Sequence, residues 1–220
     1  HVRDTTLSTA SVLAAASRFR PEKIIVAGSA EECGPHPPTP TPDDCVPDPR
    51  TPYGISKALA TRMCLDAWKV EQIPTTVVRI FVAYGPGMSP RFFVRQLVDA
   101  TVEGRILEAT EGRQTRDFTH VDDIIEGMFA ACGCAALNGR VVDLCTGREL
   151  SLREVCEMWQ RISGREQVAH LGARPYRPHE VFRSFGDPTT MCEVAGWSAR
   201  ISLEDGLRDL WLEASSPRTP

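Results

Sequence analysis

Two β-branched apolar runs set the strongest limit on what this chain can fold into. "KIIVAGS" (23–29) and "PTTVVRIFVAYGP" (74–86) are of strand length and end in Gly-Ser and Tyr-Gly-Pro. Neither alternates with polar residues, so each reads as a strand covered on both faces, the situation of a parallel sheet. Between them, residues 53–71 return to helical spacing, with Ala58, Leu59, Met63, Leu65 and Trp68 among the apolar positions. A further helix is predicted from Thr5 to Phe19, its apolar and small positions being Leu7, Ala10, Val12, Leu13 and Ala14. Helix, strand and crossover in alternation predict a parallel α/β sheet. The stretch "PHPPTPTPDDCVPDPRTP" (35–52) carries eight prolines in 18 residues and reads as an extended surface loop.

After Pro86 the rhythm changes. The pattern predicts a helix over 90–103, a short strand over 105–109, and an "RDFT" strand leading into a helix over 121–132. "RVVDLCTG" reads as another strand. "SLREVCEMW" opens a helix with a Ser-x-x-Glu capping box at Ser151 and Glu154, and "SLEDGLRDLW" repeats the device at Ser202 and Asp205. The chain thus divides into an α/β portion over 1–86 and a mixed α/β lobe over 87–220, interleaved with it.

Composition narrows the function classes. With 42% hydrophobic and 25% charged residues and a net charge of −4, the chain has no electrostatic footprint for nucleic acid or an acidic membrane. No apolar run reaches the roughly 18–20 residues of a membrane span. The N-terminus lacks the charged and apolar regions of a signal peptide. It also lacks an initiator Met, which suggests that residue 1 is not the natural start. Eight cysteines include no C-x-x-C pair, and Cys132-Gly-Cys134 has no second ligand pair, so no metal site is expected. Reduced thiols in a cytoplasmic protein are the expectation.

Tyr53 and Lys57, in "TPYGISKA", share one helix face at i and i+4. Alone, that spacing describes a solvated helix surface as readily as a chemical device. Ser29 changes the balance, because ligands of open parallel sheets bind outside the carboxyl ends of the strands. A phenol titrates near 10 and handles protons poorly at pH 7 unless a nearby ammonium favours the phenolate. A serine hydroxyl can hold the reacting oxygen against it. The trio is suited to moving a proton between a carbinol and a ketone while a nicotinamide moves the hydride.

The ordered motifs "IVAGSAEECG", "TPYGISKA", "RIFVAYGPG", "RQTRDFTHVDDI", "VVDLCTGRELSLREV" and "RPHEV" resemble the extended short-chain dehydrogenase/reductases that act on nucleotide sugars, the NAD-dependent epimerase/dehydratase group. "GSAEECG" and "RPHEV" look most like GDP-4-keto-6-deoxymannose reductases and GDP-mannose dehydratases. The resemblance implies a Rossmann-like sheet with a smaller substrate lobe, NAD or NADP as cofactor, and a GDP-, UDP- or dTDP-sugar as substrate. It implies catalytic roles for Ser29, Tyr53 and Lys57, with Tyr53, Lys57, Ile80 and Phe81 also on the cofactor. Glu31 falls where dehydratases place a base. Val82 falls at a substrate contact, and Arg116 and Arg177 match arginines that grip the diphosphate. A homodimer through the Tyr53 helix is implied as well.

The departures are specific. Cys33 replaces a usual tyrosine, Val82 a common asparagine and Asp143 a frequent asparagine. No Gly-x-x-Gly-x-x-Gly turn is present to hold a pyrophosphate, so the sheet is expected to be partial, without its N-terminal strands. The rival reading is therefore a non-catalytic remnant or a sugar-nucleotide-binding module, and dehydratase chemistry through Glu31 is a third. Among plainer expectations, Glu31 and Glu32 form a solvated loop pair and Arg116 pairs with Asp117 or Asp122. His120 caps or packs, Asp122 and Asp123 serve a helix N-terminus, and His36 and His179 sit in polar loops. Trp159, Trp197 and Trp211 fill core or docking positions.

Overall fold

The computed structural model describes residues 2–35 and 40–216, so His36 lies outside the described residues. Helix α1 (Val2–Phe19) leads to β1 (Ile24–Ser29), and α2 (Pro52–Glu71) leads to β2 (Thr75–Ile80). Then come β3 (Val82–Tyr84), α3 (Phe93–Val102), β4 (Leu107–Ala109), β5 (Thr115–Arg116) and β6 (Phe118–His120). The remainder is α4 (Val121–Gly133), β7 (Arg140–Leu144), β8 (Leu150–Ser151), α5 (Leu152–Ser163), β9 (Ala169–Leu171), α6 (Thr189–Ala195) and α7 (Leu203–Ser215).

The α/β expectation holds. Strands β1, β2 and β7 form a parallel sheet in that order, with Ser29 beside Ile80 and Ile80 beside Leu144. Its α4 side is filled by Val78, Val142, Leu144, Ile124, Met191 and Trp197. A second core gathers Tyr84, Leu97, Phe118, Val155, Trp159 and Leu207 around α3, α5 and α7. Both capping serines act as expected: Ser151 and Glu154 form a full reciprocal box, and Ser202 accepts from the Asp205 backbone N–H.

Several boundaries moved for local reasons. The run 74–86 breaks at Phe81, because Val82 donates its N–H to the Asp117 carbonyl and β3 leaves the sheet to pair with β6. The "RDFT" strand likewise splits at Asp117, whose buried carboxylate accepts from the Thr146 N–H and hydroxyl and from the Gly147 N–H. Helix α3 begins only at Phe93, with no side-chain cap.

Helix α1 departs most from the amphipathic expectation. Leu7, Val12 and Ala14 are exposed, and Ala16 is its sole buried residue. It packs on α2, beside β1, which is an edge strand whose Ile24–Ala27 stay half-buried. A groove of about 570 Å³ runs along that edge between Val12, Leu13, Ile25 and Lys57. Leu59, expected inside, is exposed as well, because α2 buries its small face of Gly54, Ser56, Ala60, Thr61 and Cys64.

The thiol expectation needs correction at one pair. Cys33 and Cys45 form a disulfide with their Cα atoms 6.1 Å apart, tying the proline-rich loop to the turn after β1. The loop brings the two together by folding back over that turn, where Asp48 donates its N–H to the Glu32 carbonyl. The other six cysteines are free.

Candidate active site

Ser29 ends β1 in extended backbone and caps a 3₁₀ turn of residues 30–32. Its Oγ accepts from the Glu31 N–H at 3.3 Å, while its own N–H donates to Glu32 Oε1 at 2.7 Å. Glu32 Oε2 takes a further bond from the Thr61 hydroxyl of α2 at 2.8 Å. Glu32 is thus a buried strut between strand and helix, which corrects half of the solvated-pair expectation. Burial pushes its carboxyl above the ordinary range, against the hydrogen bonds from Thr61 and Ser29. Glu31 is exposed and accepts from the Thr51 hydroxyl at 2.6 Å.

Thr51 also caps α2, accepting from the Gly54 N–H at 2.9 Å. Gly54 is required here, since a Cβ would strike the Glu31 carbonyl. That close approach sets the first turn of α2 against the end of β1. It brings Tyr53 into hydrogen-bonding contact with Ser29. Lys57, one turn on, donates from Nζ to the Ala27 carbonyl at 2.8 Å and lies 5.7 Å from the Tyr53 ring centroid. Three side chains scattered over 29 positions therefore meet at one strand end.

The phenol is not tuned as expected. Burial raises the Tyr53 pKa, the Ser29 hydrogen bond opposes it, and Glu31 and Glu32 raise it further. The Lys57 ammonium donates to the Ala27 carbonyl and contributes no downward pull on the phenol.

Beside this trio lies a cavity of about 210 Å³ whose lining includes Glu31, Arg50, Thr51, Arg116, Arg177 and His179. Arg116 is largely occupied. Its guanidinium donates to the Thr115 and Val181 carbonyls at 2.7 and 2.8 Å and to Glu180 Oε1 at 2.9 Å. Its carboxylate partner is Glu180, not Asp117 or Asp122. Ile80 and Phe81 sit half-buried at the end of β2 next to Ser29, and Phe81 packs on Gly186, where a Cβ would collide with the ring. Val82 pairs with Phe118 and packs toward the second core.

The sequence model of the NAD dependent epimerase/dehydratase family matches residues 1–145. The chain belongs to that family. It is 29% identical over 219 residues to a UDP-N-acetyl-alpha-D-glucosaminuronate decarboxylase of Bacillus cytotoxicus, covering 91% of this chain and 66% of that protein. It is 27% identical over 175 residues to the GDP-6-deoxy-D-mannose reductase of Pseudomonas aeruginosa, covering 77% of this chain and 57% of the relative. Among solved structures, UDP-glucuronic acid 4-epimerase from Bacillus cereus, in complex with UDP-glucuronic acid and NAD, superposes with a TM-score of 0.89 at 26% identity. That superposition covers 96% of this chain and 67% of the epimerase. The chain spans about half to two thirds of the length of the curated relatives it matches.

Within the family frame, other expectations can be placed. His120 caps α4, its Nδ1 accepting from the Asp122 N–H at 3.3 Å, and meets Tyr84 edge-on. Asp122 stands in the first turn of that helix, but Asp123 is buried and accepts from the Arg200 and Ile201 N–H groups. It anchors the chain before α7. Trp159 and Trp197 are buried, and Trp211 packs edge-on against Trp159.

Sequence reasoning missed Arg79, which is buried beneath the site and paired with Asp143 at 3.2 Å. An arginine inside an otherwise apolar strand was the available signal. It also missed Glu180, although that residue stands inside the "RPHEV" motif.

Proposed function

We propose that this chain carries the acid–base centre and the diphosphate-binding cavity of an NAD(P)-dependent enzyme that modifies a nucleotide sugar through a 4-keto intermediate. The observation that carries this reading is the Ser29–Tyr53 hydrogen bond at a strand end, with Lys57 one turn on and an arginine-lined cavity alongside. Tyr53 takes the proton of the sugar hydroxyl as the carbinol becomes a ketone and returns it in the reverse step. Ser29 holds the sugar oxygen against the phenol. Lys57, an ammonium on the groove along β1, holds the ribose of a nicotinamide nucleotide. Ile80 and Phe81 flank that end of the site, and Val82 offers an apolar contact to the sugar. Arg177, with Arg116 behind it, meets the diphosphate. Glu31 stands at the sugar end as a candidate base for dehydration.

The donor set, a phenol, a hydroxyl and an ammonium, fits the nicotinamide-ribose end of the cofactor. A bound nicotinamide supplies the hydride acceptor and donor. The raised Tyr53 phenol favours a second reading: sugar-nucleotide binding without redox turnover. Titrating the full chain with UDP- and GDP-sugars, and with NADH and NADPH, separates the two. Binding of both classes supports the enzyme, and binding of sugar nucleotide alone supports the module. Binding of neither removes both. In the same titration, Arg177→Ala is expected to weaken sugar-nucleotide binding roughly tenfold to a hundredfold, the loss of a hydrogen bond between charged groups. Unchanged affinity would take Arg177 out of the site.

The exposed Leu7, Ile55 and Leu59 on the paired helices α1 and α2 support a homodimer through that face. Sedimentation of the full chain is expected to give a dimer; a monomer at every concentration would remove this proposal.

A further inference from the structure

From residues 177–180 we infer that His179 is a ligand-reading residue, its imidazole binding the diphosphate beside Arg177. The inference rests on the sugar-nucleotide reading and deepens it. Among the described residues, three that are not glycine have positive φ: Arg20, Gln72 and His179. Arg20 and Gln72 follow the last turns of α1 and α2, where a left-handed residue is the ordinary way to end a helix. His179, at φ 63°, ends no helix.

It occupies a turn instead. Glu180 donates its N–H to the Arg177 carbonyl at 3.1 Å, with Pro178 and His179 as the central pair. Proline first and positive φ second is the pattern of a type II turn, whose second central position favours glycine or asparagine. A histidine there strains the backbone, so the turn alone does not call for it. What the imidazole gains is its place on the wall of the arginine cavity.

The turn is also held in shape from one side. Arg116 grips the Val181 carbonyl and the Glu180 carboxylate, which uses up much of its own donor capacity. Arg177 and His179 are left as the turn's own groups facing an incoming anion.

Charge bookkeeping around the imidazole favours the same role. The charged groups lining the cavity with it are Arg116 on β5, Arg50 before α2, Arg177 and Glu180 on its own turn, and Glu31 on the 3₁₀ turn. Asp48 pairs with Arg50. Three guanidiniums therefore stand against three carboxylates, a neutral set. A diphosphate diester brings two negative charges into it, and an imidazole is the side chain able to gain a positive charge between pH 5 and 8. Binding of the diphosphate should then draw a proton onto His179 and weaken as pH rises.

The test is calorimetric titration of the full chain with UDP-glucose, GDP-mannose and uridine at pH 6 and pH 8. It compares wild type, His179→Gly and Arg177→Ala. Wild type is expected to bind one of the two diphosphate diesters about fivefold more tightly at pH 6 than at pH 8, with proton uptake and with uridine far weaker. His179→Gly should lose the pH dependence and the proton uptake, while its melting temperature stays level or rises as the strained position relaxes. Equal pH dependence in wild type and His179→Gly overturns the inference. If Arg177→Ala weakens binding and His179→Gly does not, the sugar-nucleotide reading stands and the role of His179 falls. If wild type binds no nucleotide at either pH, the reading beneath falls and takes this inference with it.

Discussion

Tyr53→Phe is expected to lower turnover of a nucleotide sugar by roughly a thousandfold while leaving its binding nearly unchanged, the middle of the range for removing a positioned proton-transfer group. Phenylalanine keeps the ring and its packing at the start of α2, so the loss isolates one oxygen. That oxygen is the atom hydrogen-bonded to Ser29. Ser29→Ala should cost less, because it removes the orienting partner and leaves the acid–base group.

The pH profile has a definite sign. Burial, with Glu31 and Glu32 nearby, raises the Tyr53 phenol above its ordinary value, so little phenolate exists at neutral pH. The oxidative direction needs the phenolate and should speed up as pH rises toward the phenol's raised value. The reductive direction needs the neutral phenol and should stay flat over the same range. Replacing Glu31 by Gln removes one of the two charges that raise the phenol and should shift the rising limb to lower pH. Steady-state kinetics in both directions read this out. A Tyr53→Phe enzyme within tenfold of wild type in kcat would remove Tyr53 from the chemistry.

Much of this site was legible because its parts obey short-range rules. The β-branched runs gave β1 and β2, the i,i+4 spacing put Tyr53 and Lys57 on one face, and the strand end gave Ser29. The illegible parts depend on distant partners. Glu31 and Glu32 look alike in sequence; only the approach of Thr61 on α2 separates the buried strut from the exposed carboxylate. The direction of the Tyr53 shift depended on how deeply the ring is buried and on Glu31 and Glu32 nearby, which the i,i+4 spacing does not show. Cys33 precedes the proline-rich loop and Cys45 lies within it, 12 positions on, and spacing alone carries no sign that they meet. The exposed apolar positions of α1 follow from the edge position of β1, a property of the sheet and not of the helix.

At pH 9, where Asp143 is ionised, Arg79→Ala is expected to destabilise the fold by about 3–5 kcal/mol, the cost of removing one partner from a buried ion pair. The Arg79 and Asp143 side chains are 2% and 0% exposed. The guanidinium also donates to the Pro42 and Asp43 carbonyls at 3.0 and 2.7 Å, so it holds the loop above the sheet as well as the carboxylate within it. Alanine leaves two part-buried carbonyls without that donor and Asp143 without its cation.

Acidity sharpens the expectation. Burial raises the Asp143 carboxyl to about 8; Arg79 pulls it down, and Asp43 and Asp117 push it further up. A carboxyl raised above its unfolded value of 3.8 keeps a proton in the native state that the unfolded chain releases. Its contribution is therefore most favourable at low pH and is lost as pH climbs from 3.8 to about 8. Without Arg79 the carboxyl rises further, and the variant must either hold the proton or bury a lone charge. The penalty of Arg79→Ala should then be larger at pH 9 than at pH 6. Adding Asp143→Asn should restore part of the loss, and most at the higher pH, because it removes the charge that Arg79 had balanced. Urea unfolding of the single and double variants at both pH values measures all of this. A penalty below 1 kcal/mol, or one that shrinks with rising pH, would mean that Arg79 serves the loop carbonyls alone and that Asp143 does not depend on it.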